Sequence, residues 1–378
     1  MHTPKVNLIT ILKSSGLWKV KIFKLVDYSL GAFLSFLLPA TVNISPLISI
    51  EQIKKILIIR PGGVGDAIFL LPFLRAIQTS FPTVEISILC EHRNLEVFSS
   101  QRDLHLRLYC YDFPFGLKDI FTRSYDVVID TEQWHYLSAI VSYFIKHKQT
   151  VGFATRPRRA KLFTHRVAYD EHTHEMENFY NLFKPFLKAP CPSLNNSFLL
   201  AKNLLEWASK NIPQNTVALF LGASIPLRRF SREQSLRLIQ YLRERNSSVI
   251  LLGGKDVVGI ADELLEKVGD NRICNFVGQT SLEQTAALIK ESQVFIGPDS
   301  GVMHLACAVG TPVVAVFGPG NLRKWTPRGE RDRVITENVE CSPCTRFGYT
   351  VPTCRGSYHC MRDIKVEQII SAVTKIIS

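Results

Sequence analysis

Residues 294–319, VFIGPDSGVMHLACAVGTPVVAVFGP, constrain the fold more than any other stretch of this chain. An apolar run ends at Gly297-Pro298, a turn signal. Asp299 or Ser300 can then cap a helix over 301–309, which Gly310 ends; Pro312 stands where a helix should not continue. Residues 311–317 form a β-branched run, stopped by Gly318-Pro319, with the pattern of a buried strand. Strand, tight turn, helix, strand is the unit from which parallel α/β sheets are wound. A small-residue turn opening a helix presents backbone N–H groups without helical partners and a positive dipole end, which suits a phosphate. On these residues alone, an ordinary β-α-β unit with no ligand is an equal reading.

A second such unit lies upstream. IKKILIIR at 53–60 predicts a strand, PGGVGD at 61–66 a glycine loop, and 67–78 a helix. The dinucleotide fingerprint G-x-G-x-x-G fails here. Gly63 and Gly65 are in place, but Ile68 holds the third glycine position. Asp66 would also set a negative charge against a cofactor pyrophosphate. A carboxylate at a strand's C-terminal end, over a glycine loop, fits a general base better; the plain alternative is a helix cap. Further strands are predicted at 84–90, 106–109, 126–130 and 151–153, then at 216–221, followed by Gly222-Ala223-Ser224, and at 249–252. Ser281 is placed to cap another helix. Residues 186–198, rich in Pro, Ser and Asn, read as a linker. The 378 residues therefore divide into two doubly wound halves, with a ligand expected between them at the carboxyl ends of the strands.

Charge narrows the partners. With 45 basic and 33 acidic residues the chain carries a formal +12, which attracts acidic partners. No nucleic-acid-binding motif is present. Arg156, Arg158, Arg159, Lys161 and Arg166 come with no acid before Asp170, either a solvated face or a grip for an acidic substrate. His172, His174 and Glu175 lack metal-ligand spacing. Residues 1–50 hold five lysines and one aspartate, with apolar residues at helical spacing. Their solid apolar part, 30–40, is too short for a membrane span of about 20 residues. A basic amphipathic helix is expected, lying on an anionic membrane surface or packing on the body; a signal peptide or span is the remaining alternative. Cys341, Cys344, Cys354 and Cys360 fall within twenty residues, a spacing open to structural zinc, a reduced cluster or disulfides. Residues 366–377 predict a closing helix.

The blocks ILIIRPGGVGD, LGAS with RRF, LLGGKD, FVGQTSLEQ and GPDSGVMHLACAVGTPVVAVFGP, in that order, resemble glycosyltransferase family 9, the ADP-heptose:lipopolysaccharide heptosyltransferases. The likeness runs from about residue 53 to the C-terminus. It implies a GT-B fold: two Rossmann-like doubly wound α/β domains facing across a cleft, here with an N-terminal amphipathic helical extension. The expected parts are the extension (1–50), an acceptor domain (51–190), a nucleotide-sugar donor domain (191–360) with the Cys-rich segment 341–360, and a closing helix (361–378). It also implies inverting transfer with no metal required for catalysis, leaving only the cysteine cluster as a candidate structural zinc site. By this resemblance Asp66 is the catalytic base. Gly63, Gly65, Ser224, Arg228, Asp256, Asp299, Ser300, Gly301 and His304 serve the donor, with Arg228 standing where the family has a phosphate-binding lysine. Arg60, Arg156, Arg158 and Arg159 are expected to grip acidic groups of the acceptor. The implied partners are an ADP-sugar, an acidic glycolipid and an anionic membrane surface, with the protein in the cytoplasm, peripheral on the inner face of the cytoplasmic membrane. A sugar-nucleotide epimerase or hydrolase on the same fold, and a non-catalytic nucleotide-sugar-binding protein, are the alternatives.

Overall fold

The computed structural model describes residues 26–42, 46–112, 117–269, 272–346, 349–350, 354 and 359–377. The first half of the basic extension therefore lies outside the described residues. Six strands form the first sheet: β1 (Lys55–Arg60), β2 (Glu85–Cys90), β3 (Leu106–Cys110), β4 (Ser124–Asp130), β5 (Lys146–Phe153) and β6 (His165–Val167). All are parallel, in the order β3-β2-β1-β4-β5-β6. The second sheet repeats the plan with β7 (Thr216–Phe220), β8 (Ser248–Leu252), β9 (Ile273–Asn275), β10 (Val294–Pro298), β11 (Val313–Phe317) and β12 (Arg333–Thr336). Its order is β12-β11-β10-β7-β8-β9, again all parallel. Every residue of β7, β8, β10 and β11 is buried, as expected for strands covered on both faces.

Winding reverses beside β1 in the first sheet and beside β7 in the second, and ligands of such sheets bind outside the strand ends at these points. The helices that matter to the site are α1 (Ala32–Leu37), α2 (Val64–Ser80), α3 (His92–Ser99), α4 (Tyr136–Phe144), α5 (Glu175–Phe183), α6 (Leu282–Lys290), α7 (Gly301–Val309), α8 (Leu322–Trp325) and α9 (Val366–Ile377). The helix after β1 starts three residues earlier than its apolar periodicity shows, because Val64, Gly65 and Asp66 make a first turn with no apolar face to read. Asp66 thus sits inside that first turn. Ser300, of the two candidates, is the cap of α7.

One apolar cluster draws on both lobes, with Phe69 and Phe73 of α2 beside Met303 and Leu305 of α7. Glu96 of α3 adds a polar contact across the boundary, accepting from the Leu282 N–H at 2.6 Å at the start of α6. A second cluster packs α9, through Val366, Ile369 and Val373, over β10 and β11. The described part of the extension packs on the first lobe. Asp27 accepts from the Leu137 N–H at 2.7 Å and meets His135 Nδ1 at 3.0 Å, while Ala32, Leu34 and Leu38 cover Tyr136, Ile140 and Phe163. Its other face points outward. Among the described residues no helix is long and apolar enough to cross a membrane.

Gly310 closes α7 with φ +83, and a methyl group there would stand 2.5 Å from Asn196 Oδ1 and 2.7 Å from Asn195 Oδ1 of the connecting segment. Gly310→Ala is expected to destabilise the protein by about 1–2 kcal/mol, the cost of a side chain in a left-handed residue, read as a lowered denaturant midpoint.

Candidate active site

The two glycine turns meet. A methyl group on Gly65 would stand 2.9 Å from His304 Cδ2 and 3.4 Å from Gly301 Cα; one on Gly301 would stand 3.0 Å from the Gly65 nitrogen. Only glycine permits this approach, and it brings the N-terminus of α2 onto the N-terminus of α7. The Asp66 carboxylate lies along the turn before α2, with Oδ2 3.5 Å from where a methyl on Gly63 would be.

The α7 side is an anion cradle. Ser300 Oγ accepts from the Met303 N–H at 3.3 Å, and the first amides of the helix have no helical acceptor. Arg228, from the turn after β7, donates to the Asp299 carbonyl at 3.3 Å and pairs with Asp299 Oδ2 at 3.1 Å. Burial pushes the Asp299 carboxyl up, and Arg228 opposes it. His304 is buried against Phe69 (4.6 Å between ring centroids) and Trp325 (5.7 Å). Burial, with the nearby His174 and Arg228, holds its pKa down at about 3, so the imidazole is neutral and could serve as a hydrogen-bond donor without adding charge. Ser224 is exposed in the loop after β7. Asp256 is also exposed and pairs with Arg229.

The four arginines divide. Arg60 is buried, donating from Nε to the Pro61 carbonyl (2.7 Å), from Nη1 to the Thr131 carbonyl (2.9 Å) and from Nη2 to Glu132 Oε2 (3.2 Å). Arg159 is fully buried on Asp130 Oδ2 (2.7 Å) and the Phe153 and His135 carbonyls. Both are committed within the protein, which corrects the expectation that they face an acceptor. Arg156 and Arg158 do reach the surface region: Arg156 stacks on Trp134, 3.8 Å to the ring centroid, and Arg158 lies 5.2 Å from the Phe36 ring centroid.

Charged residues to which the sequence assigned no role feel the Asp66 charge or adjoin those that do. Glu132 accepts from the Gln133 and Trp134 N–H groups at 3.0 Å each. Burial opposes its charge, but His135, Arg60 and these amides outweigh it and hold its pKa at about 2. Glu175 accepts from Gln133 Nε2 (2.6 Å) and the Tyr169 hydroxyl (2.8 Å), and pairs with Lys324 Nζ at 2.7 Å. Burial, then the Asp66 charge, pushes Glu175 up to about 8; burial pulls Lys324 down to about 7 against Asp66 and Glu132. The available signal was position: Glu132 and Lys324 both follow strand ends, after β4 and β11.

Cys341, Cys344, Cys354 and Cys360 line one small cavity with Leu227, Pro319 and Ser342. Among the described residues no group of three or more His, Cys, Asp or Glu side chains stands so as to hold a metal ion.

His174 is fixed as a neutral tautomer, with Nδ1 accepting from the Met176 N–H (3.3 Å) and Nε2 donating to the Thr326 carbonyl (3.0 Å); burial holds its pKa at about 4. His174 and His304 thus bind protons less readily folded than unfolded. Their contribution to stability is complete above about pH 6.5 and is lost as pH falls toward 4 and then 3. The urea midpoint is expected to fall across that window, and less steeply in His304→Gln.

The sequence profile described as glycosyltransferase family 9 (heptosyltransferase) matches residues 117–352. The lipopolysaccharide core heptosyltransferase OpsX of Haemophilus influenzae is 23% identical over 348 residues, covering 86% of this chain and 98% of that protein. Among solved structures, a family 9 glycosyl transferase from Veillonella parvula superposes with a TM-score of 0.73 at 17% identity, over 88% of this chain and 99% of that one. The ADP-heptose heptosyltransferase II of Escherichia coli gives 0.67 at 19% identity, over 85% and 98%. The paired parallel sheets are those of the GT-B fold. On the profile match, which spans more than half of its length, the chain belongs to glycosyltransferase family 9.

Proposed function

We propose that this protein transfers a heptose from ADP-heptose to a lipopolysaccharide core or related acidic glycan, with inversion at the transferred carbon. The supporting observation is the contact of Gly65 with Gly301, which opens the helix of Asp66 and the anion cradle onto one point from opposite lobes. Asp66 takes the proton from an acceptor hydroxyl as its oxygen bonds to the anomeric carbon. The bond from that carbon to the diphosphate breaks on the far side, and the α7 amides with Arg228 stabilise the charge that builds there. His304 donates to a phosphate oxygen, Asp256 and Ser224 lie toward the nucleoside end, and Arg156 and Arg158 hold acidic groups of the acceptor. That relatives of this chain are heptosyltransferases of lipopolysaccharide and lipooligosaccharide supports the choice of donor and acceptor. Asp66→Asn is expected to lower transfer by about 10²–10⁴-fold while ADP binding changes little. Mass spectrometry of mixtures with ADP-heptose and truncated acceptors reads this; unchanged turnover would remove the base, and donor conversion without acceptor would favour an epimerase or hydrolase.

The same proposal sets the protein on the inner face of the cytoplasmic membrane. Leu30, Phe33, Phe36 and Leu37 are between 49% and 61% exposed on the outer side of α1 and the turn before it. Arg158 borders them, and five lysines precede them in the sequence. Apolar side chains rimmed by basic ones suit an anionic bilayer surface. Phe33→Glu/Phe36→Glu is expected to lose co-sedimentation with phosphatidylglycerol vesicles by about tenfold or more, with transfer to a soluble acceptor retained. Equal binding by both proteins would mean that this face does not carry the vesicle contact.

A further inference from the structure

The extension holds the first lobe by an acid as well as by apolar packing. Asp27 is buried, and both of its oxygens are spent on the turn after β4. Oδ1 accepts from the Leu137 N–H at 2.7 Å, and Oδ2 meets His135 Nδ1 at 3.0 Å. Leu137 lies in the first turn of α4, whose own cap residue, His135, makes no side-chain cap bond. The carboxylate at that helix start therefore comes from 110 positions upstream. A helix N-terminus favours such a group, which satisfies an amide and meets the positive dipole end. Gly31, one turn further on, lies against the same place. A methyl group there would stand 3.2 Å from Tyr136 Cβ and 3.5 Å from Leu137 Cγ. A different segment holds the other end of α1. Lys161 Nζ donates to the Phe36 carbonyl at 3.1 Å and the Leu38 carbonyl at 2.6 Å, and the Lys161 carbonyl accepts from the Thr41 N–H at 2.8 Å.

The two segments gripped in this way carry Trp134 and Arg156. Trp134 immediately precedes His135, and Arg156 opens the one-turn helix Pro157–Ala160 that Lys161 follows. The Arg156 guanidinium lies 3.8 Å from the Trp134 ring centroid and 5.2 Å from that of Tyr136. Arg159 joins the same segments from within, donating from Nε to the His135 carbonyl at 3.0 Å. Both segments follow carboxyl ends of parallel strands, β4 and β5, on the edge of the sheet where ligands bind. Stacking uses the face of a guanidinium, whereas its N–H donors lie along the edge, where they fit a carboxylate or phosphate. We propose that the extension is a positioning element of the acceptor site: Asp27 and Gly31 seat it on the start of α4, and so fix the Trp134–Arg156 pair with its guanidinium edge toward an acidic group of the acceptor. This rests on the reading of Arg156 as an acceptor residue. A surface anchor needs only the outward side of α1; a buried carboxylate spent on the first turn of α4 serves the lobe behind it. Without Asp27 the pair loses its outer support, while Arg159 still holds the turn from within.

The test compares steady-state constants of the full-length protein with ADP-heptose and a soluble truncated acceptor, so that no membrane contact enters. Asp27→Ala is expected to raise the acceptor KM about tenfold, with kcat and the ADP-heptose KM within about twofold of the parent. Asp27→Asn, which keeps an oxygen for the Leu137 N–H, should recover most of that loss. Gly31→Leu, which pushes the extension off Tyr136 without changing any charge, should give the same split as Asp27→Ala. An unchanged acceptor KM in both variants would overturn the proposal. So would a donor KM or kcat that moves as much as the acceptor KM, or failure of both variants to fold, since the contact would then be structural only. Arg156→Met separates this from the underlying reading: if it raises the acceptor KM while Asp27→Ala and Gly31→Leu do not, only the positioning role fails. If it leaves the acceptor KM unchanged, Arg156 is no acceptor residue and the role falls with it.

Discussion

Two helix N-termini pointing at the same place are an electrostatic problem. Each carries the equivalent of about half a positive charge, and both leave backbone N–H groups without partners. The close approach of Gly65 to Gly301 creates this arrangement between α2 and α7. It becomes favourable only with negative charge at the junction. Asp66 supplies one such charge from within the first turn of α2, and a diphosphate at the α7 end would supply the other. The charged groups near the junction divide between its two sides: Arg228, paired with Asp299, and neutral His304 belong to the α7 side, while Lys324 pairs with Glu175 on the first lobe.

The first lobe contains an unusual amount of buried charge. Asp130, Arg159, Arg60, Glu132 and Glu175 are all shielded from water, and each bonds to backbone or to an opposite charge. Such networks seldom raise stability over apolar packing, but they tolerate few alternative geometries, because each unpaired member would be costly. Here they hold the turn after β4 and the start of α5 against the end of β1. Geometry near Asp66 is thereby fixed by directional bonds, which an apolar cluster would not provide.

Much of this was legible in residue order. Glycine turns at strand ends are local signals, so the units around Asp66 and around Asp299, Ser300 and Gly301 could be located without knowing what they face. Capping is equally local, and Ser281 forms a capping box with Gln284. Burial of a charged side chain is not local. Arg60 and Arg159 look like ligand-binding arginines in a basic stretch. That they turn inward depends on β5 lying beside β4, which brings Arg159 to Asp130, and on β4 lying beside β1, which brings Glu132 to Arg60. Lys324 is harder still, since its partner lies 149 positions away across the lobe boundary, and no periodicity marks such a pair.

The seating of α1 has one consequence for how the protein would meet its acceptor. Asp27 anchors the turn before α1 to His135 and Leu137, immediately next to Trp134, on which Arg156 stacks. The greasy outer side of α1 and the arginine face are therefore neighbours on one flank of the first lobe. A glycolipid whose tails stay in the leaflet could present its sugar head there without being extracted. Encounter would then be a lateral search within a plane, so turnover on such a lipid would depend on its surface density and not on its bulk concentration.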